Sequence, residues 1–189
     1  MAEFLIIVIH QMVFQGMFAA KNIILRKNIG KQIRGKNVEA TISILFFMLF
    51  IATSLTFSFF NLAFGKVSIF SQKAVFISAL IIIFANLIVS VFSLIHLKDS
   101  WRVGVIEEHK TDLITGGIYG FTRNPYFLSY FLMFAAYTVL LQNILLLALS
   151  FIGVLMVHKM IIKEETYLSS LHGDKYLVYK SKVPRYFII

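Results

Sequence analysis

Long apolar runs alternate with short polar stretches along the whole chain. The runs are Phe4–Ala20, Thr41–Phe64, Ala74–Leu97, Tyr126–Leu141 and Ile144–Ile162. Each predicts a membrane-crossing helix, because a hydrocarbon core of about 30 Å takes about 20 helical residues. The first run carries His10, Gln11 and Gln15 inside it. The fourth is short, about 24 Å at 1.5 Å per residue. Only Gln142 and Asn143 separate the fourth run from the fifth, which predicts a tight antiparallel helical hairpin.

Composition supports the same reading. Of 189 residues, 59% are hydrophobic, and the mean hydropathy is +0.83. A soluble domain of this size cannot bury that much apolar surface, so part of it faces lipid. The chain has no cysteine, which excludes disulfides, thiolate metal ligands and a thiol nucleophile; no metal site is expected. Near the start, Glu3 stands where a signal peptide would be basic, so the first run is expected to be a retained span.

Basic residues set the expected orientation. Lys21, Arg26, Lys27, Lys31, Arg34 and Lys36 lie between the first two runs, whereas only Lys66 and Lys73 lie between the second and third. Lys98, Arg102, Lys110 and Arg123 precede the fourth run, and Lys175, Lys180, Lys182 and Arg185 follow the fifth. With five spans, this alternation places the N-terminus outside and the C-terminus in the cytoplasm. The stretch "IRGKNVEATI" could contact the phosphates of membrane lipids, but it reads first as a topology signal. The net charge of +9 then reflects topology and calls for no nucleic acid; no obligate protein partner is expected either.

The expected architecture is an all-α integral membrane protein forming a single domain over residues 1–189. It has five transmembrane helices, a folded cytoplasmic loop and a C-terminal cytoplasmic helix. The polar segments 98–125 and 163–189 meet at the cytoplasmic face and hold whatever site there is. Trp101, Leu113, Ile114, Ile118 and Tyr119 argue that the first of these is folded against the membrane.

Two places carry more chemistry than a membrane anchor needs. "GGIYGFTRNPYFLSYF" (116–131) packs glycines, tyrosines, Arg123 and Asn124-Pro125 ahead of the fourth run. Asn before Pro is a good helix start, with Asn124 expected to cap and Pro125 to sit at the first helical position. Gly116-Gly117 are not explained by a helix start. A glycine-rich turn leading to a helix N-terminus can hold an anionic group. The second place is Glu164-Glu165 directly after the fifth run, where the helix dipole and cytoplasmic flank both disfavour acid. One reading is a solvated polar face; the other is a carboxylate that binds a ligand ammonium group.

"TDLITGGIYGFTRNPYFLSYF", the Glu-Glu pair and "HGDKYLVYKSKVPRYF" together resemble the isoprenylcysteine carboxyl methyltransferase family, within the superfamily that includes phospholipid N-methyltransferases. Order, spacing and topology agree over Thr111–Phe187, about 40% of the chain. The resemblance implies a methyltransferase that uses S-adenosylmethionine near the cytosolic face without a Rossmann domain. It implies that Leu113, Ile114 and Tyr119 wrap the cofactor, and that Asn124, Pro125, Tyr126 and Phe127 line it. It further implies that Glu164 holds the cofactor's amino group while Arg123, Asn124 and Glu165 serve the catalytic centre. The family's Arg-His-Pro is Arg-Asn-Pro here, the tyrosine two residues after that proline is Phe127, and Met160 stands near a substrate-facing arginine's place. A carboxylate acceptor is therefore not secured; an amine or thiol acceptor would need a base, for which His109, His158 and His172 are candidates. The expected acceptor is a lipid or other lipophilic molecule entering from the bilayer of a bacterial or archaeal cell membrane.

Two other readings remain. One is an NADPH-dependent lipid reductase on a related scaffold, for which the tail after the Glu pair is short. The other is a transporter or membrane scaffold; the second and third runs, with only hydroxyls and Asn86 as polar groups, lack the charges or breaks a transporter shows.

Overall fold

A computed structural model describes residues 1–29, 38–100 and 112–187. Trp101, Arg102, His109, Lys110 and much of the first basic loop lie outside these residues. The described chain is helical: α1 (Ala2–Ile29), α2 (Val38–Phe60), α3 (Gln72–His96), α4 (Pro125–Leu141), α5 (Ile144–His172) and α6 (Asp174–Lys182). Short 3-10 turns cover Lys98–Ser100 and Gly117–Gly120. Among the described residues there is no strand, only an isolated bridge between Lys66 and Asn143.

Four helices, α1, α2, α3 and α5, are long and apolar enough to cross a membrane; α4, with 17 residues, is shorter. Their ends differ from the sequence expectation in three main places, the first being α1, which runs on past Ala20 to Ile29. The second run stops at Phe60, four residues early, because Asn61 turns into the left-handed region (φ 47°). The fifth does not stop at Ile162. Residues 163–172 contain neither glycine nor proline, so α5 continues as one helix until Gly173 at φ 53°. Residues 144–162 are mostly apolar and 163–172 mostly polar, so the last turns of α5 project beyond the apolar segment and carry the glutamates with them.

The helices run up and down. At one end, Glu3 accepts a hydrogen bond from Gln72, and the α2–α3 connection zips onto the α4–α5 turn. Val67 N donates to Gln142 O (2.7 Å), Ile144 N to Gly65 O (2.8 Å) and Phe70 N to Gln142 Oε1 (3.0 Å). The hairpin expected from two linking residues is present: Gln142 is left-handed, and Asn143 caps α5 through bonds from Leu145 N and Leu146 N. The α3 end, the Gly117 turn, the α4 start and the C-terminal tail gather at the opposite end.

The core is aromatic. Phe14, Phe18, Phe47, Phe50, Phe134 and Tyr137 interlock across α1, α2 and α4. Gly153 lets α5 approach closely, since a Cβ there would lie 2.5 Å from the Phe134 ring. Exposed Leu45, Phe84 and Phe151 instead lie on outer surfaces, as lipid contact requires.

The polar residues of α1 are packed contacts. The Asn86 amide N–H donates to Ser129 O, so Asn86 Oδ1 is an acceptor and His10 Nε2 (2.9 Å) carries the proton. His10 Nδ1 is then the acceptor for the Tyr137 hydroxyl (2.6 Å), whose oxygen receives Gln11 Nε2 (2.7 Å). Donors and acceptors match along the chain with a neutral imidazole. Such bonds contribute about 0.6 kcal/mol each within a membrane protein, so their main effect is to fix the register of α1, α3 and α4.

Candidate functional site

The glycine turn is built against the end of α3. Gly117 has φ 62°, and a Cβ on it would lie 2.4 Å from the His96 ring. Both the backbone conformation and the space demand glycine there, whereas Gly116 has an extended backbone and open space around it. Gly117→Ala should therefore destabilise the protein by about 1–3 kcal/mol through backbone strain. It should also displace His96 and loosen the turn. The thermal unfolding midpoint in detergent, compared with Gly116→Ala as control, reads the effect.

The turn delivers Tyr119 into the interior, 7% exposed, where its carbonyl accepts the Tyr179 hydroxyl (2.6 Å). From there the chain is stitched to the C-terminal tail. Thr122 Oγ1 donates to Arg185 O (2.9 Å), and Arg123 N donates to Pro184 O (3.0 Å). Arg123 Nη1 donates to the carbonyls of Val183 and Lys180.

The centre of this arrangement is Glu165, 5% exposed. Its Oε1 accepts Arg123 Nε (3.1 Å), Arg123 Nη2 (2.9 Å) and Asn124 Nδ2 (3.0 Å). Its Oε2 accepts Arg185 Nε (3.2 Å) and Nη2 (2.9 Å). Burial alone would raise its pKa; the bonds from Arg185, Asn124 and Arg123 outweigh it and hold the carboxyl below the usual range. Glu165 is thus an anion at neutral pH, joining α4, α5 and the tail. The solvated-face reading of the glutamates does not hold for it.

Asn124 corrects an expectation. It occupies the N-cap position of α4, but its side chain makes no capping bond. Its amide N–H instead goes to Glu165 and to Arg185 O (3.3 Å). Pro125 is at the first helical position, as expected.

Glu164 is the counterpart. It is half-buried, and among the described residues its carboxylate makes no hydrogen bond. Burial, then the Glu165 charge beside it, push its carboxyl up to about 7. Its charge is felt at Tyr119, Tyr126 and Tyr176. The two adjacent glutamates therefore divide: one is fully paired and anionic, while the other has no hydrogen-bond partner among the described residues and has its carboxyl raised to about 7.

The structure joins Arg123, Asn124 and Glu165 directly and places Tyr119 and Tyr126 in the field of Glu164. Leu113 packs on Tyr176, Tyr179 and Val183. Ile114 is half-buried, while Phe127 is turned into the hydrophobic core. Tyr126 shares a hydroxyl–hydroxyl bond with Tyr130 (2.7 Å). Met160 accepts Ser43 Oγ across the α2–α5 contact (3.1 Å). His158 bonds the Tyr186 hydroxyl (2.6 Å) and so helps hold the tail. Arg185, Thr122 and Tyr176 were not assigned from sequence; the only signal was their place in the tail pattern and the loop, which gives no partner. Among the described residues, no group of histidines and acids could hold a metal.

A family model described as phospholipid methyltransferase matches residues 73–175, more than half of the chain. The match runs from α3 through the Gly117 turn and the glutamate pair into the start of α6. No curated protein matches the chain.

Proposed function

The chain belongs to the phospholipid methyltransferase family, and on that premise we propose that it is a membrane enzyme that binds S-adenosylmethionine and methylates a lipophilic acceptor from the bilayer. The observation that carries this reading is the division of the glutamate pair. Glu165 fixes the framework, and Glu164 presents a half-buried carboxylate with no hydrogen bond among the described residues. An ammonium group is the ligand chemistry that such a carboxylate suits, through a charge-assisted hydrogen bond.

When bound, S-adenosylmethionine supplies a methyl group already activated on a sulfonium. The protein's part is then placement and exclusion of water. Glu164 holds the ammonium end. Tyr119, buried beneath the glycine turn, and Tyr126 supply aromatic surface suited to a cation. Arg123, Asn124 and Glu165 act as positioning residues, since their polar groups are directed at one another and at the tail. Arg123 and Arg185 both pair with Glu165 and are not available as the main partners of a ligand carboxylate. Leu113, Ile114, Pro125 and Phe127 complete the walls and the helix start behind them. An acceptor amine or thiol must lose a proton, and a carboxylate acceptor need not.

The orientation goes with this reading. Glu3, the 61–71 connection and the Gln142–Asn143 turn share one end, where Lys66 and Lys73 are the basic residues between α2 and α3. The opposite end carries Arg123, Lys163, Lys175, Lys180, Lys182 and Arg185. Five spans with that richer end in the cytoplasm satisfy the positive-inside rule, with α4 short enough to start at headgroup level. Because the chain has no cysteine, exposed Ser68→Cys gives a clean report. A membrane-impermeant maleimide should label it in intact cells; labelling only after permeabilisation would reverse the topology.

The activity itself is tested by adding methyl-labelled S-adenosylmethionine to membranes containing the protein. Label should enter the lipid extract, and a Glu164→Gln variant should abolish that transfer. Label absent from the extract with wild-type protein contradicts a lipid acceptor.

A further inference from the structure

The C-terminal tail is fastened to α5 at two levels. Arg185 pairs with Glu165, which lies beyond the end of the apolar segment at Ile162. The next residue, Tyr186, shares a hydrogen bond between its hydroxyl and His158 Nδ1 (2.6 Å), and His158 lies inside that end. Glu165 and His158 are about 10 Å apart along the helix axis at 1.5 Å per residue. A second helix reports a similar depth. The Tyr186 ring packs against Phe131, with ring centroids 5.6 Å apart, and Phe131 lies about 9 Å along α4 from its start at Pro125.

The direction of this tyrosine is the reverse of the usual one. Tyrosines at a membrane boundary keep the ring in the apolar layer and the hydroxyl toward water. Here the tail comes from the polar side, so the hydroxyl is the deepest part of the Tyr186 side chain. A hydroxyl in that layer needs a hydrogen-bond partner, and His158 provides one. The same contact accounts for a histidine within a mostly apolar run. Beside it, Phe187 is 50% exposed.

We propose that the end of the tail is seated in the lipid layer, with Tyr186 pinned on His158 and the exposed Phe187 ring in contact with acyl chains. Lipid is the occupant that suits Phe187, because the ring is apolar and its neighbour reaches the depth of His158 and Phe131. The pin fastens a strap whose other bonds hold the site. Arg185 O accepts Thr122 Oγ1 and Asn124 Nδ2, and Pro184 O accepts Arg123 N. His158 and Tyr186 are thus positioning residues, whichever ligand the site binds.

The test is tryptophan fluorescence of the full chain in phosphatidylcholine vesicles. Phe187→Trp is made in a Trp101→Phe background, so that the probe is the only tryptophan. Leu177→Trp in the same background is the control, because Leu177 is exposed on α6. Lipids brominated on their acyl chains should quench the probe at 187 severalfold more than aqueous iodide does, and the probe at 177 should show the reverse. His158→Leu strands the Tyr186 hydroxyl, so iodide quenching at 187 should rise severalfold. Adding Tyr186→Phe removes the second polar group and should return the probe to the lipid, since replacing both partners by apolar groups is nearly neutral. A probe at 187 quenched by iodide and not by brominated lipid overturns the seating. So does a probe shielded from both quenchers, which marks a protein surface such as a second copy as the cover. Unchanged quenching in His158→Leu, or equal release in the single and double variants, overturns the pin. The seating is read with native His158 and Tyr186, so it is tested even where His158→Leu does not fold.

Discussion

Replacing Glu164 with glutamine should weaken S-adenosylmethionine binding by about a hundredfold or more while the protein remains folded. Glutamine keeps the size and one acceptor oxygen but not the charge, and a desolvated ammonium that loses its counter-ion forfeits about 3–5 kcal/mol. Stability should not fall, because Glu164 makes no hydrogen bond among the described residues and its charge lies beside that of Glu165. The pH dependence sharpens the prediction. With the folded value raised to about 7, the free protein binds a proton that the unfolded chain releases near 4.3. Stability from this group is therefore present at low pH and declines as pH rises through about 7. Ligand affinity runs the other way, increasing as Glu164 ionises. A titration series from pH 6 to 8 should show this rise in wild type and not in Glu164→Gln. Wild-type affinity in the variant would remove Glu164 from the site.

Replacing Glu165 with alanine should instead unfold or severely destabilise the protein. The carboxylate is buried, and its removal leaves Arg123, with a side chain only 7% exposed, short of its anion. Breaking a buried ion pair on one side costs about 3–5 kcal/mol, and here the Asn124 and Arg185 bonds go with it. The sign with pH is opposite to that of Glu164. The folded value is lowered, so this stabilisation is full above the ordinary carboxyl value of about 4.3 and is lost as pH falls through the folded one. Thermal scans should show wild type losing stability in that acid range, and the alanine variant starting low and changing less. An unfolding midpoint equal to wild type would mean that the cluster does not hold the tail in place.

The contrast between these glutamates explains what the sequence could and could not tell. The membrane helices were readable because apolar runs of that length have one solution in lipid. Their ends were less so: nothing in Lys163–His172 breaks a helix, and the boundary drawn at Ile162 marked a change of polarity, not of conformation. The hairpin was readable because two residues leave no other path; that Asn143 also caps α5 came from the structure.

Asn124 has the same local signature as Asn143 but a different fate. Its cap position is real, yet a buried carboxylate 41 residues away draws its amide from the helix end. Local propensity cannot report that competition. Likewise, adjacency made Glu164 and Glu165 look alike. Successive residues on a helix point about 100° apart, and only the fold decides which one meets Arg123 and Arg185. Gly117 was visible as an oddity, but His96, the reason for it, lies 21 positions earlier at the end of another helix.

The central claim is that the site framed by Glu164, Glu165 and the tail binds a methyl donor. Calorimetric titration of the purified protein with S-adenosylmethionine, with NADPH run in parallel, tests it most directly. The account predicts saturable micromolar binding of S-adenosylmethionine and none of NADPH. Saturable binding of NADPH with no response to S-adenosylmethionine would contradict it.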